Sequence, residues 1–427
     1  MRTERWPLGN DPGALAARAR ALAPDAASVA DPVAAIIADV AARGDAAVLE
    51  ATQRFDTGGA EPGPLRAGPE AAAAALAALD PAVRAALELA IENVGAVARA
   101  GVGEDREVAL PQGQRILLRE VPVRRAAIYA PGGQAPYPST VVMGAVTAQA
   151  AGVGEVAVCA PPGPDGEAHP AILAACALCG VGEIYRMGGA QAIAALAHGT
   201  ESVAAVDVVA GPGSLYVQEA KRQLSGRIGI DGFAGPSDLL VVLDAAAPAA
   251  LVALDLLAQA EHGPATVVAA VSDDSAALDA VAAELARLAP DRPSANPAAA
   301  VLVDAPDLDG ALAFAEAFAP EHLELAGPSA EALAPRVRSA GCLLVGAAAA
   351  TAFSDYVAGS NHVLPTGGAA RFASGLTPRV FRRRMSEVRL GDAAAALAGP
   401  GAALARAEGF VVHAESMEAR MRENGRP

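Results

Sequence analysis

Glu155-Val-Ala-Val-Cys-Ala160, a helical segment over 170–179, Glu183-Ile-Tyr-Arg-Met187, a second helical segment over 190–197 and Val206-Asp-Val-Val-Ala210 follow one another closely in the chain. Short apolar runs alternate with runs of helical period, which is the βαβ pattern of a parallel sheet covered by helices. Just upstream, Ile116-Leu-Leu-Arg-Glu-Val121 and Arg125-Ala-Ala-Ile-Tyr-Ala130 read as strands. Downstream a second series repeats the pattern: Asp238-Leu-Leu-Val-Val-Leu243, a helix over 248–262, Ala265-Thr-Val-Val-Ala-Ala-Val271, a helix over 274–288, Ala300-Val-Leu-Val303, a helix over 308–318 and Gly341-Cys-Leu-Leu-Val345. The reading is therefore α/β, with two units joined near Gly235-Pro236. Before them, residues 12–58 look helical, with Val33–Arg43 started at Asp31-Pro32 and stopped by Gly44, and 68–99 reads as two helices split near Asp80-Pro81. From about 380 the chain is charged and helical, with Arg382-Arg-Arg384 followed by Ala-rich segments. The expected division is a helical N-terminal region over 1–114 packing on the second α/β unit, a first α/β unit over 115–236, a second over 237–380, and a small helical tail over 381–427.

Composition narrows the function classes. At 427 residues more than one domain is expected. The chain is 53% hydrophobic, yet uncharged apolar stretches such as Cys342 to Phe353 fall short of the ~18–20 residues a spanning helix needs. A formal charge of −16 argues against nucleic acid or an anionic membrane surface as partner. Met1-Arg-Thr-Glu-Arg-Trp-Pro7 has no apolar core of the kind a signal peptide carries, so cytoplasmic residence is expected. Cys176 and Cys179 form a C-x-x-C without the second pair a zinc ribbon requires. A redox motif and a pair of small buried hydrophobes are both open, although the surroundings are those of an ordinary buried helix.

Ligands of open α/β sheets sit at the carboxyl ends of strands, and four loops suit that position. Tyr129-Ala-Pro-Gly-Gly-Gln-Ala-Pro-Tyr-Pro-Ser-Thr140 follows a strand, and Ser139-Thr140 can cap the next helix. Gly188-Gly-Ala-Gln191 follows Met187, and Gly211-Pro-Gly-Ser-Leu-Tyr216 opens a helix, a geometry found at phosphate sites. It is not a full G-x-G-x-x-G, because Tyr216 takes the last glycine's place. Ala234-Gly-Pro-Ser-Asp238 places a hydroxyl at the join. Each turn is also a common structural device, so a nucleotide site and plain connections both stand. The titratable groups fall in the second unit and the tail. Leu256-Leu-Ala-Gln-Ala-Glu-His-Gly263 puts Gln259 and His262 on one helix face at a helix end stopped by Gly263-Pro264. Pro320-Glu-His-Leu323, Asp355-Tyr356, Asn361-His-Val-Leu-Pro-Thr-Gly-Gly368 and Glu408-Gly-Phe-Val-Val-His413 complete the set. A Gln, an Asp and two His can ligate Zn²⁺, which accepts N and O donors. Their wide separation suits a site assembled from several elements, and any one of them alone can equally be a hydrogen-bonded polar group.

Taken together these motifs resemble the histidinol dehydrogenase family. The resemblance rests on 130–140, Gly188–Leu196, Leu256–His262, Phe318-Ala-Pro-Glu-His-Leu-Glu324, Asp355-Tyr356, 361–368 and Glu408–His413, with Gly44-Asp45 and Phe55-Asp56 near the start. It implies two incomplete Rossmann-like parallel-sheet units, the first on the NAD side and the second holding the metal and acid–base residues, with the tail reaching the partner of a homodimer. By that resemblance Gln259, His262, Asp355 and His413 bind one Zn²⁺ per subunit, with His413 supplied by the partner, so that the dimer shares its active sites. Glu321 and His322 are the acid–base pair. Ser237, His362 and Glu408 contact substrate alongside the metal ligands and His322, and Tyr129, Gln191 and Ser214 line the NAD site. The implied reaction is oxidation of L-histidinol to L-histidine through the aldehyde with two NAD⁺ and one water, the last step of histidine biosynthesis. Ser214 stands where the family usually has Asn, Gln134 where a basic residue is common, and Gly144 where Asn is frequent, while Pro378-Arg-Val380 departs from the usual pattern before the tail. The alternatives are a paralogous zinc- and NAD-dependent dehydrogenase of another small polyol or amino alcohol, and a two-lobed α/β solute- or zinc-binding protein, which would not need Glu321-His322.

Overall fold

The computed structural model describes residues 2–23, 29–132, 135–232, 236–295 and 298–423. The chain forms two compact units, Met1–Gly101 with Val123–Phe381 and Val102–Pro122 with Arg382–Pro427.

The larger unit holds two parallel sheets. One is ordered Glu183–Arg186, Glu155–Ala160, Arg125–Tyr129, Val208–Ala210, Gly229–Ile230. The other is ordered Arg2–Pro7, Ala299–Asp304, Val267–Ser272, Asp238–Leu243, His322–Ala326, Cys342–Val345. In each series the earliest strand, Arg125–Tyr129 or Asp238–Leu243, lies inside the sheet. The chain winds to one side of it and then crosses to the other, leaving a crevice at the reversal. Every residue of these two strands is buried, which is why they read as unbroken apolar runs rather than as alternations. The helices between them begin and end where local chemistry dictates. Asp80 accepts from the Ala82 and Val83 amides to start Pro81–Ala100. Gly44, at φ 57°, turns the chain from Ala30–Arg43 into Asp45–Phe55.

The packing expected for the N-terminal region is corrected. Ala30–Arg43 and Asp45–Phe55 lie on the helix Gly189–His198, Pro69–Ala78 on Pro170–Leu178, and Pro81–Ala100 on Pro138–Ala150, all of them helices of the first sheet. Pro81–Ala100 buries Leu87, Ala90, Val94 and Ala98, a stripe of helical period that fits the apolar face offered there. Among the described elements of this region, the strand Arg2–Pro7 and the helix Pro12–Arg20 join the second sheet, where Trp6, Ala16 and Ala19 enter its core.

The smaller unit is a three-stranded antiparallel sheet, Arg106–Ala109, Arg115–Pro122 and Arg382–Arg389, with the helices Ala393–Ala407 and Val411–Glu423 packed on each other through Ala402, Ala405 and Ala414. Two expectations change here. Arg382–Arg389 is a strand rather than helix, and Arg115–Pro122 pairs with it instead of opening the parallel series. The cause is cross-strand charge pairing: Arg384 opposes Glu120 and bonds it at 2.6 Å, and Arg115 donates to Glu107 at 2.8 Å. Among the described residues no helix is long and apolar enough to cross a membrane.

Candidate active site

A cavity of about 460 Å³ lies between the two parallel sheets. The first sheet contributes Pro131 and Pro212–Leu215 from the carboxyl ends of its strands at the reversal point. The second contributes Ser237, Glu321 and His262 from the opposite, amino edge: Ser237 and Glu321 each precede a strand, and His262 follows the helix Ala249–Ala260. The carboxyl-end expectation therefore fits the first sheet and is corrected for the second. Crossover helices run against their strands. The cavity thus sees helix amino ends on the first side, where partial positive charge favours phosphate, and helix carbonyl ends on the second, where partial negative charge favours cations.

The acid–base candidates are held by a reciprocal pair of bonds. The Glu321 amide donates to Asp238 Oδ1 at 2.6 Å, and the Asp238 amide donates to Glu321 Oε2 at 3.0 Å. Gly367 adds its amide to Asp238 Oδ2 at 3.4 Å. His322 is buried, and neither ring nitrogen has a hydrogen-bond partner among the described residues. Its Nδ1 lies 4.0 Å from Glu321 Oε2 and its Nε2 3.6 Å from Asp355 Oδ1. Burial, with His262 and His362 near, pushes the His322 imidazole down to about 3, so it is a neutral proton acceptor. Burial, and then the Asp238 carboxyl, hold Glu321 well above the usual carboxylate range. Burial also lifts Asp355 to about 7.

His262 Nδ1 sits 3.1 Å from Ser237 Oγ, while its Nε2 lies 4.0 Å from Asp355 Oδ2. Gln259, in the last turn of Ala249–Ala260, is 1% exposed, and both of its amide atoms lack a partner among the described residues. His262 itself falls in the turn just beyond that helix rather than on it. His362 is fixed at both nitrogens, Nδ1 at 2.8 Å from the Asp355 carbonyl oxygen and Nε2 at 3.0 Å from Thr140 Oγ1, and burial pushes it down to about 4. Among the described residues no group of three or more His, Cys, Asp and Glu that could hold a metal is formed. Glu408 and His413 belong to the smaller unit, Glu408 capping the end of Ala393–Ala407 and His413 in the first turn of Val411–Glu423, both exposed, with the Phe410 ring 5.3 Å from that of His413.

Of the cofactor-side candidates, Ser214 lines the cavity at the start of the helix Leu215–Leu224, and its side chain is not spent on capping. Tyr129 and Gln191 are buried and are not among its lining residues: the Tyr129 hydroxyl accepts the Gly189 amide at 3.1 Å, and Gln191 donates to Asp56 Oδ2 at 3.2 Å. Gln134, and Ala234-Gly235 of the join, lie outside the described residues. Asp238, Tyr137 and Tyr356 fall in motifs quoted above but carry no role from sequence; the last two line the cavity, and the bond from Thr140 to His362 is not readable from sequence. Asp238 carried a signal, since a carboxylate opens a strand otherwise wholly apolar. Cys176 and Cys179 are buried, and burial pushes both thiols up, away from the reactive thiolate.

The second sheet's own reversal point opens on a separate cavity of about 380 Å³ lined by Asp244, Asp273, Asp274 and Ser329. Asp244 accepts the Ala246 amide at 2.8 Å and the Ser329 amide at 2.6 Å. A side-chain carboxylate thus takes the amides a phosphate would use, and two further acids stand beside it, which makes this cavity a poor place for an anionic group.

A model of the family described as histidinol dehydrogenase matches residues 20–421. The chain belongs to the histidinol dehydrogenase family. The histidinol dehydrogenase of Ruegeria pomeroyi is 44% identical over 402 residues, covering 92% of this chain and 92% of its own. That of Thermobifida fusca is 44% identical over 409 residues, covering 93% of this chain and 92% of its own. The crystal structure of histidinol dehydrogenase from Elizabethkingia anophelis superposes with a TM-score of 0.89 at 28% identity, covering 100% of this chain and 99% of that one. As a member of the histidinol dehydrogenase family the chain is an oxidoreductase.

Proposed function

We propose that this chain oxidises L-histidinol to L-histidine through L-histidinaldehyde, as a zinc- and NAD-dependent homodimer acting in histidine biosynthesis. The observation that carries the reading is the buried His322 beside Glu321 and Asp355, its ring nitrogens without a hydrogen-bond partner among the described residues, on an α/β frame shared with the histidinol dehydrogenase family. The residues fit zinc: Gln259 has an orphaned buried amide, His262 keeps Nε2 towards Asp355, and N and O donors suit this metal. His262, Gln259 and Asp355 would hold it with His413 of a second copy. The cofactor also fits, because Pro212, Gly213 and Ser214, whose side chain makes no cap bond, line the cavity at a helix start. When bound, Zn²⁺ supplies a Lewis acid that fixes the imidazole and amine of the substrate, and NAD⁺ supplies the hydride acceptor.

The remaining roles fall to the chain's own side chains. His322 takes the hydroxyl proton as the alcohol carbon loses hydride, which its neutral, unprotonated state in the resting site permits. Glu321 removes a proton from the water that adds to the aldehyde. It must be ionised for that step, and burial keeps it protonated in the resting site; the positive charge of a metal held by Asp355 and His262 would offset that burial. Glu408, from the partner's tail, and His362, fixed by Thr140 and Asp355, orient the substrate. The substrate lies between two walls, which keeps a reactive aldehyde from water at large.

The test is NADH formed per L-histidinol consumed, read by absorbance, before chelation, after it and after zinc is restored. Two NADH per substrate, lost on chelation and regained with zinc, is the expected result. One NADH, or turnover only with another amino alcohol or polyol, overturns it.

A further inference from the structure

Lys221 is the only lysine among the 427 residues; every other member of the 32 Lys and Arg side chains is arginine. It is also among the largest fully buried side chains of the molecule. Its ammonium donates to the Gly211 carbonyl oxygen at 2.9 Å and pairs with Asp231, whose side chain is 5% exposed. The other oxygen of Asp231 accepts the Gly211 amide at 2.7 Å. A single buried ion pair therefore closes on both polar groups of one peptide residue. Its members come from two places: Lys221 from the helix Leu215–Leu224 that the glycine turn opens, and Asp231 from just beyond the edge strand Gly229–Ile230. Gly211 stands at φ 124°, and a Cβ there would overlap the carbonyl oxygen of Tyr129. The turn is thus pressed against the end of the central strand, and Pro212, Gly213 and Ser214 emerge from it onto the cavity wall.

A buried ion pair is a poor way to gain stability, because desolvating two charges offsets most of their attraction and an apolar pair of similar size does as well. An arginine cannot replace this lysine without cost: the planar guanidinium is larger and spreads its donors, whereas an ammonium delivers a compact charge to one carbonyl. A chain that uses arginine everywhere else keeps lysine at this place.

We propose that Lys221 and Asp231 are positioning residues for the cofactor, an ion-pair clamp that holds Gly211–Ser214 in the shape that receives the dinucleotide. The proposal rests on the reading of this turn as the NAD site. Neither side chain touches the cavity, so both act through Gly211.

The test uses the full-length enzyme with zinc, as wild type, Lys221→Met and Asp231→Asn. Asp231→Asn keeps the shape and a carbonyl acceptor, and serves if Lys221→Met does not fold. NADH affinity is read by its fluorescence on binding, KM for NAD⁺ and for L-histidinol by steady-state rates, and amide exchange over 211–216 by mass spectrometry. A rise of about tenfold or more in NADH Kd and in KM for NAD⁺ is expected, with KM for L-histidinol within about twofold and faster exchange at the turn. Because the chain has one ε-amine, lysine labelled at Cε gives one signal in wild type, which should shift on adding NADH. Unchanged NADH affinity in both variants overturns the proposal, even if they melt earlier, since a merely structural pair would lower stability alone. Unchanged exchange over 211–216 overturns it too. If wild type itself fails to bind NADH, it is the cofactor reading that falls, while exchange still decides whether the clamp exists.

Discussion

Ser237 spends its hydroxyl on His262 Nδ1 and so settles which ring nitrogen is left to face Asp355. A partner of this kind orients a metal-binding imidazole and raises its basicity. Ser237→Ala should therefore weaken zinc binding by roughly 10–100-fold, read by competition with a chromogenic chelator, while kcat at saturating zinc falls less. His322 makes the opposite prediction. It is not among the proposed zinc ligands, so His322→Gln should lower kcat by roughly 10²–10⁴-fold with zinc content unchanged by metal analysis. Loss of zinc from that variant would make the residue structural.

At the scale of elements, the strand His322–Ala326 and the helix Ala249–Ala260 meet through two buried carboxyls, Glu324 and Asp255. Burial is the first cause holding both above the usual range, and Asp255 opposite raises Glu324 further. A carboxyl that binds its proton more tightly when folded contributes stability below the unfolded value near 4.3, and loses it as pH rises through the higher folded value. Glu324→Gln, uncharged throughout, should thus gain in melting temperature relative to wild type as pH rises from about 5 to about 8; parallel curves would mean that the pair does not share a proton. Gly144 marks the close approach of the helix Pro138–Ala150 to the central strand, since a Cβ there would overlap Ile128. Gly144→Ala should cost roughly 1–3 kcal/mol in denaturant unfolding, and Ile128→Val beside it should recover part of that. The buried strands and capped helices of both sheets were legible because their apolar runs and their Asp, Pro and Gly punctuation are local. Arg2–Pro7 and Arg382–Arg389 were not, because an edge strand that buries only Trp6 and a ladder of paired charges carry no apolar period. In the site, Glu321, His322, His262 and Asp355 were legible as motifs. The Asp238–Glu321 exchange, 83 residues apart, and the choice of the second sheet's amino edge were not, because periodicity says nothing of which end of a strand faces a cavity.

At the scale of the whole molecule, the proposed zinc site takes Gln259, His262 and Asp355 from one subunit and His413 from a second copy, and both His413 and Glu408 are exposed. If the tail completes a neighbour's site, two inactive homodimers, His322→Ala and His413→Ala, should regain about a quarter of wild-type activity when their subunits are exchanged, because a mixed dimer carries one intact site. No recovery, with exchange confirmed by mass, would place His413 in its own subunit's site. The topology also bears on synthesis. All five strands of the first sheet fall within 125–230 and can close as soon as that stretch has left the ribosome. The strand Arg2–Pro7 is made long before them, yet its neighbour is Ala299–Asp304. It must wait, unpaired, through most of translation, and an apolar edge left waiting is an invitation to aggregate. Arg2, Glu4, Arg5 and Pro7 suit that wait: charges and proline on an edge disfavour pairing with a wrong strand, and they are the same residues that hid the strand from a hydropathy reading.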